Sequence, residues 1–467
     1  MSFPMALPEP PALAAWFAEA RAARKEVLLV IRAWPHGPSA ETLVASCGEQ
    51  WHSLWRDAER GETCVVETLL DERAAAGPQR FEVLAAWAQT AREETHEVVV
   101  GATPPPLTRA LHFAAAFGDH PPSGPWGGLP SACAFRPSRA WVWNRDGCWQ
   151  VDRYALATEA AAAPGGTSLA RSPEGGVQDE ERDAPSMAAL EAADLTCDAA
   201  FHARVRDVLC GVERGAWRKV VLSRAKRHPA PPGLSVTSFL GRFAHSPRPP
   251  RFVFALRLPG GRLFAGASPE LLLEAGERGV CSMALAGTQR VPRAAGDDKR
   301  RSLAAALLVD PKELREHHEV VTGVGERIAS LGWRVHAQES PQVLHLDTLV
   351  HLWTPLPLMP VAEDASPPWR LVRAMHPTPA VGGAPAKEAL AYLDATESRA
   401  RGLFSGCIGW LEDQRRCTVA VALRCALLTP DHLWIYAGAG VVAGSDAARE
   451  WAETEGKMAA MEEVWGV

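Results

Sequence analysis

Beyond about residue 195 the chain is a succession of short apolar strands joined by tight turns, with helices set between them at irregular intervals. Helix-like DAAFHARVRDVLCGVERG leads into the strand WRKVVLSRAKR, and the strands RFVFALRL and GRLFAGAS follow, separated by Pro-Gly-Gly. A tight turn of this kind pairs strands antiparallel. The helices do not alternate one for one with strands, as a doubly wound parallel sheet would need. The expected class is therefore α+β. With 467 residues, 47% of them apolar, the chain can bury a large core.

Local signals place several elements. A long helix is predicted over about 310–330, with Asp310 as N-cap, Pro311 at the first helical position and Gly332 as its stop. Nearer the start, AAWFAEARAARKEVLLVIRAW reads as a helix running into a strand, RFEVLAAWAQTAREE as a helix and HEVVVGA as a strand. Arg139 to Val151 alternates around an Asn-Arg-Asp-Gly turn, which predicts a hairpin with Trp141, Trp143 and Trp149 as packing residues of a sheet. Residues 156–192 are rich in Ala, Gly, Pro, Ser and acids without period, the composition of a linker or exposed loop. They divide the chain into a region 1–155 and a region 193–467.

The net charge is −6 with both signs interspersed, so neither nucleic acid nor a membrane surface is an expected partner. An anionic ligand would have to be held by a locally built site. Ten cysteines include no Cys-x-x-Cys pair and no zinc spacing, which predicts buried free thiols in a reducing compartment. The N-terminal residues lack the order of a signal peptide, and no apolar run reaches the ~20 residues of a bilayer span. A soluble cytoplasmic protein is expected.

Four constellations carry possible chemistry. In Arg218-Lys219-Val220-Val221-Leu222-Ser223-Arg224, Lys219 opens an apolar strand. A strand-edge lysine is ordinarily a solvated charge, but in a closed site burial would disfavour its charged form and make it a general base. In Phe264-Ala-Gly-Ala-Ser-Pro-Glu270, the carboxyl is either a surface group beside a turn or an acid kept protonated by apolar neighbours. Glu313 and Glu316 share one helix face, and Glu450, Glu453 and Lys457 share another, in a helix capped by Ser445 or Asp446. Singly these are ordinary charged faces; together they could surround a hard cation such as Mg²⁺. His317 and His318 leave a weaker transition-metal reading open. Arg424, in an apolar strand, needs an anion if buried and can grip a carboxylate.

In order, KVVLSR, FAGASPELLL, ALAGTQR, KELREHHEVV, VLHL, HPTPAVGG, RGLFSGCIGW, ALRCA, AGAGVV and EWAETEGK resemble the chorismate-utilising family, which includes anthranilate synthase component I, salicylate synthase and isochorismate synthase. The match covers about residues 195–460; the first 150 residues match loosely, as a divergent part of the same fold. The resemblance implies a large α+β unit, an antiparallel β-sandwich core with helices outside. It implies Glu316 and Glu453 as Mg²⁺ ligands supported by Glu313 and Glu450, and Arg424 with the Gly438 backbone for the enolpyruvyl carboxylate of chorismate. Lys457 and the Gly287-Thr288 turn would place the ring carboxylate, and His345 would lie near the C4 hydroxyl.

The branch is suggested by particular positions. Anthranilate synthases lack a lysine at position 219, and aminodeoxychorismate synthases often carry a nucleophilic lysine where Ala286 stands. Salicylate synthases tend to have Thr and Tyr at the positions of Ala380 and Phe404. The resemblance therefore points to reversible isochorismate formation: Lys219 activates water for attack at C2 and Glu270 protonates the departing C4 hydroxyl. The alternatives are a salicylate synthase and a non-catalytic chorismate-binding relative, which would have lost the base, acid or metal ligands. No glutaminase subunit is expected, and a monomer or weak dimer is. Isochorismate feeds menaquinone or siderophore synthesis, and the long N-terminal region resembles the menaquinone type.

Overall fold

The computed structural model describes residues 10–34, 37–47, 50–156, 198–231, 236–244, 248–336, 340–361, 363–397 and 401–467. The expected linker at 156–192 lies outside these residues apart from Leu156. Nine described cysteines are free; most are buried or half-buried as expected, but Cys210 is exposed. No helix among the described residues is long and apolar enough to cross a membrane.

Near the start, the helix Pro10–Ala22 precedes strand Val27–Ala33, and the helix Arg80–Glu93 precedes strand Thr95–Val100. Strands Ala132–Asn144 and Gly147–Ala155 form the expected hairpin. Its turn closes because Asn144 Oδ1 accepts from the backbone N–H groups of Asp146 at 2.7 Å and Gly147 at 3.1 Å, the local bonding that makes Asn a turn residue.

Ala132–Asn144 is also where the sheet divides. One edge pairs with Glu62–Ala75 and leads through Ser53–Asp57, Phe252–Leu258, Arg262–Ser268, Cys425–Leu428 and His432–Val442 to Lys219–Pro229 and Gly383–Ala384. Its other edge is shared by Gly147–Ala155 and Leu111–Ala115. From Leu111–Ala115 a second branch runs through Cys407–Asp413, Arg416–Val421, Leu271–Gly276 and Gly279–Arg290 to Leu349–Pro360. Among the described pairs only Val27–Ala33 with Thr95–Val100 is parallel. The first 155 residues thus share ladders with the rest: Ser53–Asp57 pairs with Phe252–Leu258, and Leu111–Ala115 with Cys407–Asp413.

The two branches form a sandwich. Phe254 and Phe264 from one and Leu271, Leu285 and Trp410 from the other meet in a common core. Helices cover the outer faces. Phe81, Val320, Val324 and Trp369 pack on one side, and Phe239, Met458 and Trp465 on the other. Burying such large apolar side chains contributes roughly 1.5–3 kcal/mol each, so helices and sheets hold one another in place.

Two helices matter most for the site. Pro311–Ala329 begins at Asp310, whose carboxylate accepts from the N–H groups of Lys312 and Glu313; Ala447–Trp465 begins at Asp446, which accepts from Arg449 N. Arg449 reaches back to Asp310 at 3.4 Å, so the two N-termini lie side by side.

Candidate active site

Lys219 is the first residue of its strand and is fully buried. It lies in register with Val442 on one side and Ala384 on the other. Its Nζ is 3.1 Å from Glu316 Oε1, an ion pair not aligned as a hydrogen bond. The neighbouring strand makes room for this pair by carrying glycine. A Cβ at Gly440 would stand 2.1 Å from Glu316 Oε1 and 2.8 Å from Lys219 Cε. Gly440→Ala should therefore push lysine and glutamate apart and cost about 1–3 kcal/mol of stability, as overpacking of a filled interior does; a thermal melt would check it.

Glu270 is 2% exposed and ends the turn after strand Arg262–Ser268. Its backbone N–H donates to Ser268 Oγ at 3.2 Å, and that hydroxyl donates to Val421 O at 2.6 Å, which fixes the turn. Burial pushes the carboxyl up to about 7, against a hydrogen bond from Thr378 and the charges of Lys219, Arg424 and Lys457. Thr378 Oγ1 donates to Glu270 Oε1 at 3.3 Å. The sequence reading included the HPTPAVGG segment without assigning Thr378 a part.

Glu270 lines a cavity with Glu316, Gly287, Thr288, Ala380, Phe404, Arg424, Gly438, Gly440, Lys457 and His351. Lys219 does not line it, but Glu316, its ion-pair partner, does. The open space is about 50 Å³, room for water rather than a ring diacid, so side chains around it must move before a larger ligand enters. Phe404 stacks on Tyr436 with ring centroids 5.4 Å apart. Ala380 and Phe404 bring no hydroxyl to the wall.

The four predicted carboxylates converge, but on a lysine. Lys312 Nζ lies 3.1 Å from Glu450, 3.2 Å from Glu316, 3.3 Å from Glu313 and 3.9 Å from Glu453. Burial opposes charge on Lys312, yet Glu316, Glu453, Glu450 and Glu313 together hold its ammonium well above the usual lysine range. Burial raises Glu313 and Glu450 to about 7 against the attraction of Lys312. Burial would also raise Glu316, but Lys219, Lys312 and Lys457 outweigh it and hold that carboxyl near 2. Among the described residues no three Asp, Glu, His or Cys side chains are gathered ready for a metal; the gap between these four is filled by the ammonium. The set nonetheless fits Mg²⁺ chemically. It offers only carboxylate oxygens, the ligands a hard cation takes, and it already encloses a cation.

Lys457 Nζ donates to Glu453 Oε1 at 2.6 Å and to Gly438 O at 2.8 Å. The Thr288 N–H donates to Glu313 Oε2 at 2.9 Å, so the Gly287-Thr288 turn is tied to the carboxylate cluster. Gly287 has φ +81°, a left-handed conformation that glycine adopts without strain, and it marks a register shift between Ala286 and Thr288. Arg424 is likewise left-handed at φ 46°. Burial pulls its guanidinium down to about 10, and its Nε is buried without a partner, a donor left for a ligand.

Two histidine expectations need correction. His345 lies on Gln342–His345, away from the cavity, beside Arg248 and Arg300; burial and then those charges lower its pKa. The histidine in the wall is His351: Arg424 Nη2 lies 3.0 Å from its Nε2, and Thr288 Oγ1 lies 3.1 Å from its Nδ1. Burial first, then Arg424 and Lys457, hold it far below its usual range and therefore neutral. The transition-metal reading also loses its ligands. His317 Nδ1 donates to Ala286 O and its Nε2 meets Thr354 Oγ1, while His318 faces outward.

The family model described as chorismate binding enzyme matches residues 18–466. The chain belongs to the chorismate-binding enzyme family. It is 35% identical over 266 residues to the salicylate biosynthesis isochorismate synthase of Pseudomonas aeruginosa, covering 56% of this chain and 54% of that protein. It is 32% identical over 219 residues to the isochorismate synthase EntC of Escherichia coli K12, covering 47% and 55%. The chain thus spans about half the length of these curated relatives. Among solved family folds, it superposes on MenF, the menaquinone-specific isochorismate synthase of Escherichia coli, with TM-score 0.68 at 17% identity, covering 97% of this chain and 100% of that one. Anthranilate synthase component I of Streptococcus pneumoniae gives TM-score 0.61 at 16% identity, covering 86% and 92%. These two likenesses establish the fold.

Proposed function

We propose that this chain is an isochorismate synthase that interconverts chorismate and isochorismate, with water as the nucleophile. The observation that carries the reading is a buried, proton-holding carboxyl, Glu270, in the cavity wall, with a sealed lysine, Lys219, set behind that wall against Glu316. The isochorismate synthases among its relatives support it. Lys219, paired as an ammonium with Glu316 at rest, gives that proton to solvent when the pair opens, and its free amine then takes a proton from water as the water oxygen bonds to C2. The ring double bonds shift, the C4–O bond breaks, and Glu270 gives its proton to the departing hydroxyl, which leaves as water. A general acid or base of this kind is worth about 10²–10⁴ in rate.

Arg424 holds the enolpyruvyl carboxylate beside the Gly438 backbone, and Lys457 with the Gly287-Thr288 turn holds the ring carboxylate. His351, being neutral, orients Arg424 without competing for the anion. Glu316 and Glu453, with Glu313 and Glu450 alongside, would hold Mg²⁺, which when bound supplies positive charge for the ring carboxylate. Ala286, Ala380 and Phe404 favour release of isochorismate over amination or pyruvate loss. Chromatography of products formed from chorismate with Mg²⁺, with and without ammonium, tests the reading. Isochorismate alone is expected; salicylate with pyruvate, or an aminated product that needs ammonium, would refute it.

The assigned acid has a pH signature. Glu270 acts only while protonated, so kcat/KM should fall as pH rises through about 7. Thr378 lowers that carboxyl by its hydrogen bond, so Thr378→Val should move the alkaline limb to higher pH. A limb that stays in place or moves down would remove Glu270 from the role.

A further inference from the structure

The ammonium of Lys312 stands where four carboxylates point, and it cannot stay there with a metal. Its N···O distances to them run from 3.1 to 3.9 Å, whereas Mg²⁺ draws oxygens to about 2.0–2.1 Å in a nearly octahedral shell. An ammonium has three protons; here they are shared among four acceptors, and hydrogen bonds form to Glu316 at 3.2 Å and Glu450 at 3.4 Å. The lysine is therefore held by summed charge rather than by fitted geometry.

It also has somewhere to go. Glu316 borders the inner cavity, while Lys312, Glu313, Glu450 and Glu453 border an outer one of about 270 Å³, walled also by Thr288, Arg290 and Arg449. The cluster is thus a partition between the substrate cavity and an outer chamber. Lysine's four-carbon stem turns easily, and the outer chamber has room for it.

Resting on the Mg²⁺ reading above, we propose that Lys312 is a displaceable counter-ion: a divalent cation binds by exchange, the ammonium swings into the outer cavity, and the work of expelling it sets the metal affinity. Metal-free, the lysine offsets part of the cluster's negative charge and keeps the two helix N-termini together. A protein whose competent state must first lose this occupant binds metal more weakly by the fraction of time the cluster is free.

Calorimetric titration of Mg²⁺ into the full-length chain and its Lys312→Met variant tests this, with melting curves for both. The variant is expected to bind Mg²⁺ about tenfold tighter or more, to melt lower without metal, and to gain more from added Mg²⁺. Equal or weaker binding by the folded variant overturns the exchange and leaves the Mg²⁺ reading standing. No binding by either protein overturns the Mg²⁺ reading and the exchange with it. If Lys312→Met does not fold without metal, acetylation of the unaltered chain by acetic anhydride, read by mass spectrometry, decides. Lys312 should label faster at saturating Mg²⁺, and unchanged labelling would contradict the exchange.

Discussion

Replacing Lys219 with methionine is expected to lower kcat by about 10²–10⁴, the usual contribution of a positioned base, while the protein still folds. Methionine reaches as far as lysine's Cε, the lysine atom nearest Gly440, so the packing there survives. What disappears is the fully buried lysine nitrogen behind Glu316. The change also costs stability, because Lys219 is fully buried and sits 3.1 Å from Glu316, whose carboxylate loses a counter-charge. Lys312 still faces that carboxylate at 3.2 Å, which limits the loss. Chorismate turnover with a melting curve separates the two effects. A folded variant with unchanged kcat would show that another group activates the nucleophile.

The second large effect concerns stability. Arg401→Ala is expected to destabilise the fold by up to about 3–5 kcal/mol, the cost of breaking a buried ion pair, with Arg204, 3.3 Å from Glu397, limiting the loss. Arg401 and Glu397 have side-chain exposures of 1% and 0% and meet at 2.5 Å. Arg401 also donates to Val221 O at 2.5 Å and Val381 O at 2.7 Å, both on residues that line the substrate cavity. Glu397 accepts from the Ser223 N–H at 3.2 Å and its hydroxyl at 2.5 Å. The pair therefore ties the wall segment at Val381 to the strand that starts at Lys219. Denaturant unfolding of Arg401→Ala and of the double variant Glu397→Gln/Arg401→Met would read this. The double variant should recover part of the loss, since it removes the fully buried charges and leaves only Arg204, which is 19% exposed, without Glu397. A loss under about 1 kcal/mol for Arg401→Ala would mean the pair is not sealed as described.

What the sequence disclosed was mostly local. Asp310 before Pro311 marked a helix start because a cap and its first turn are neighbours in the chain, and Asn144 before Asp146-Gly147 marked a hairpin for the same reason. Glu313 with Glu316, and Glu450 with Glu453, could be read as shared faces from helical spacing alone. The misses lay where distant segments set the outcome. His351 rather than His345 borders the cavity because of how Leu349–Pro360 pairs with Gly279–Arg290, including the register shift at Gly287, which no local pattern announces. Lys312 stood next to Glu313 in plain sight, but its place among four carboxylates depends on a second helix that begins 135 residues later, at Ala447. Glu397 and Arg401 carried no sequence signal beyond their spacing of four; their burial comes from the strand of Val221 and Ser223. The division of the sheet at Ala132–Asn144 belongs to the same class, because it arises from pairings between strands far apart in sequence.

The central claim is that water is the nucleophile, activated beside Lys219 and attacking the carbon two positions from the hydroxyl that Glu270 expels. Turnover of chorismate in ¹⁸O-enriched water, with mass spectrometry of the product, tests it most directly. The account predicts isochorismate carrying one heavy oxygen, at C2. Isochorismate with no label would mean that the original hydroxyl migrates within the substrate, and would contradict the mechanism built on these two side chains.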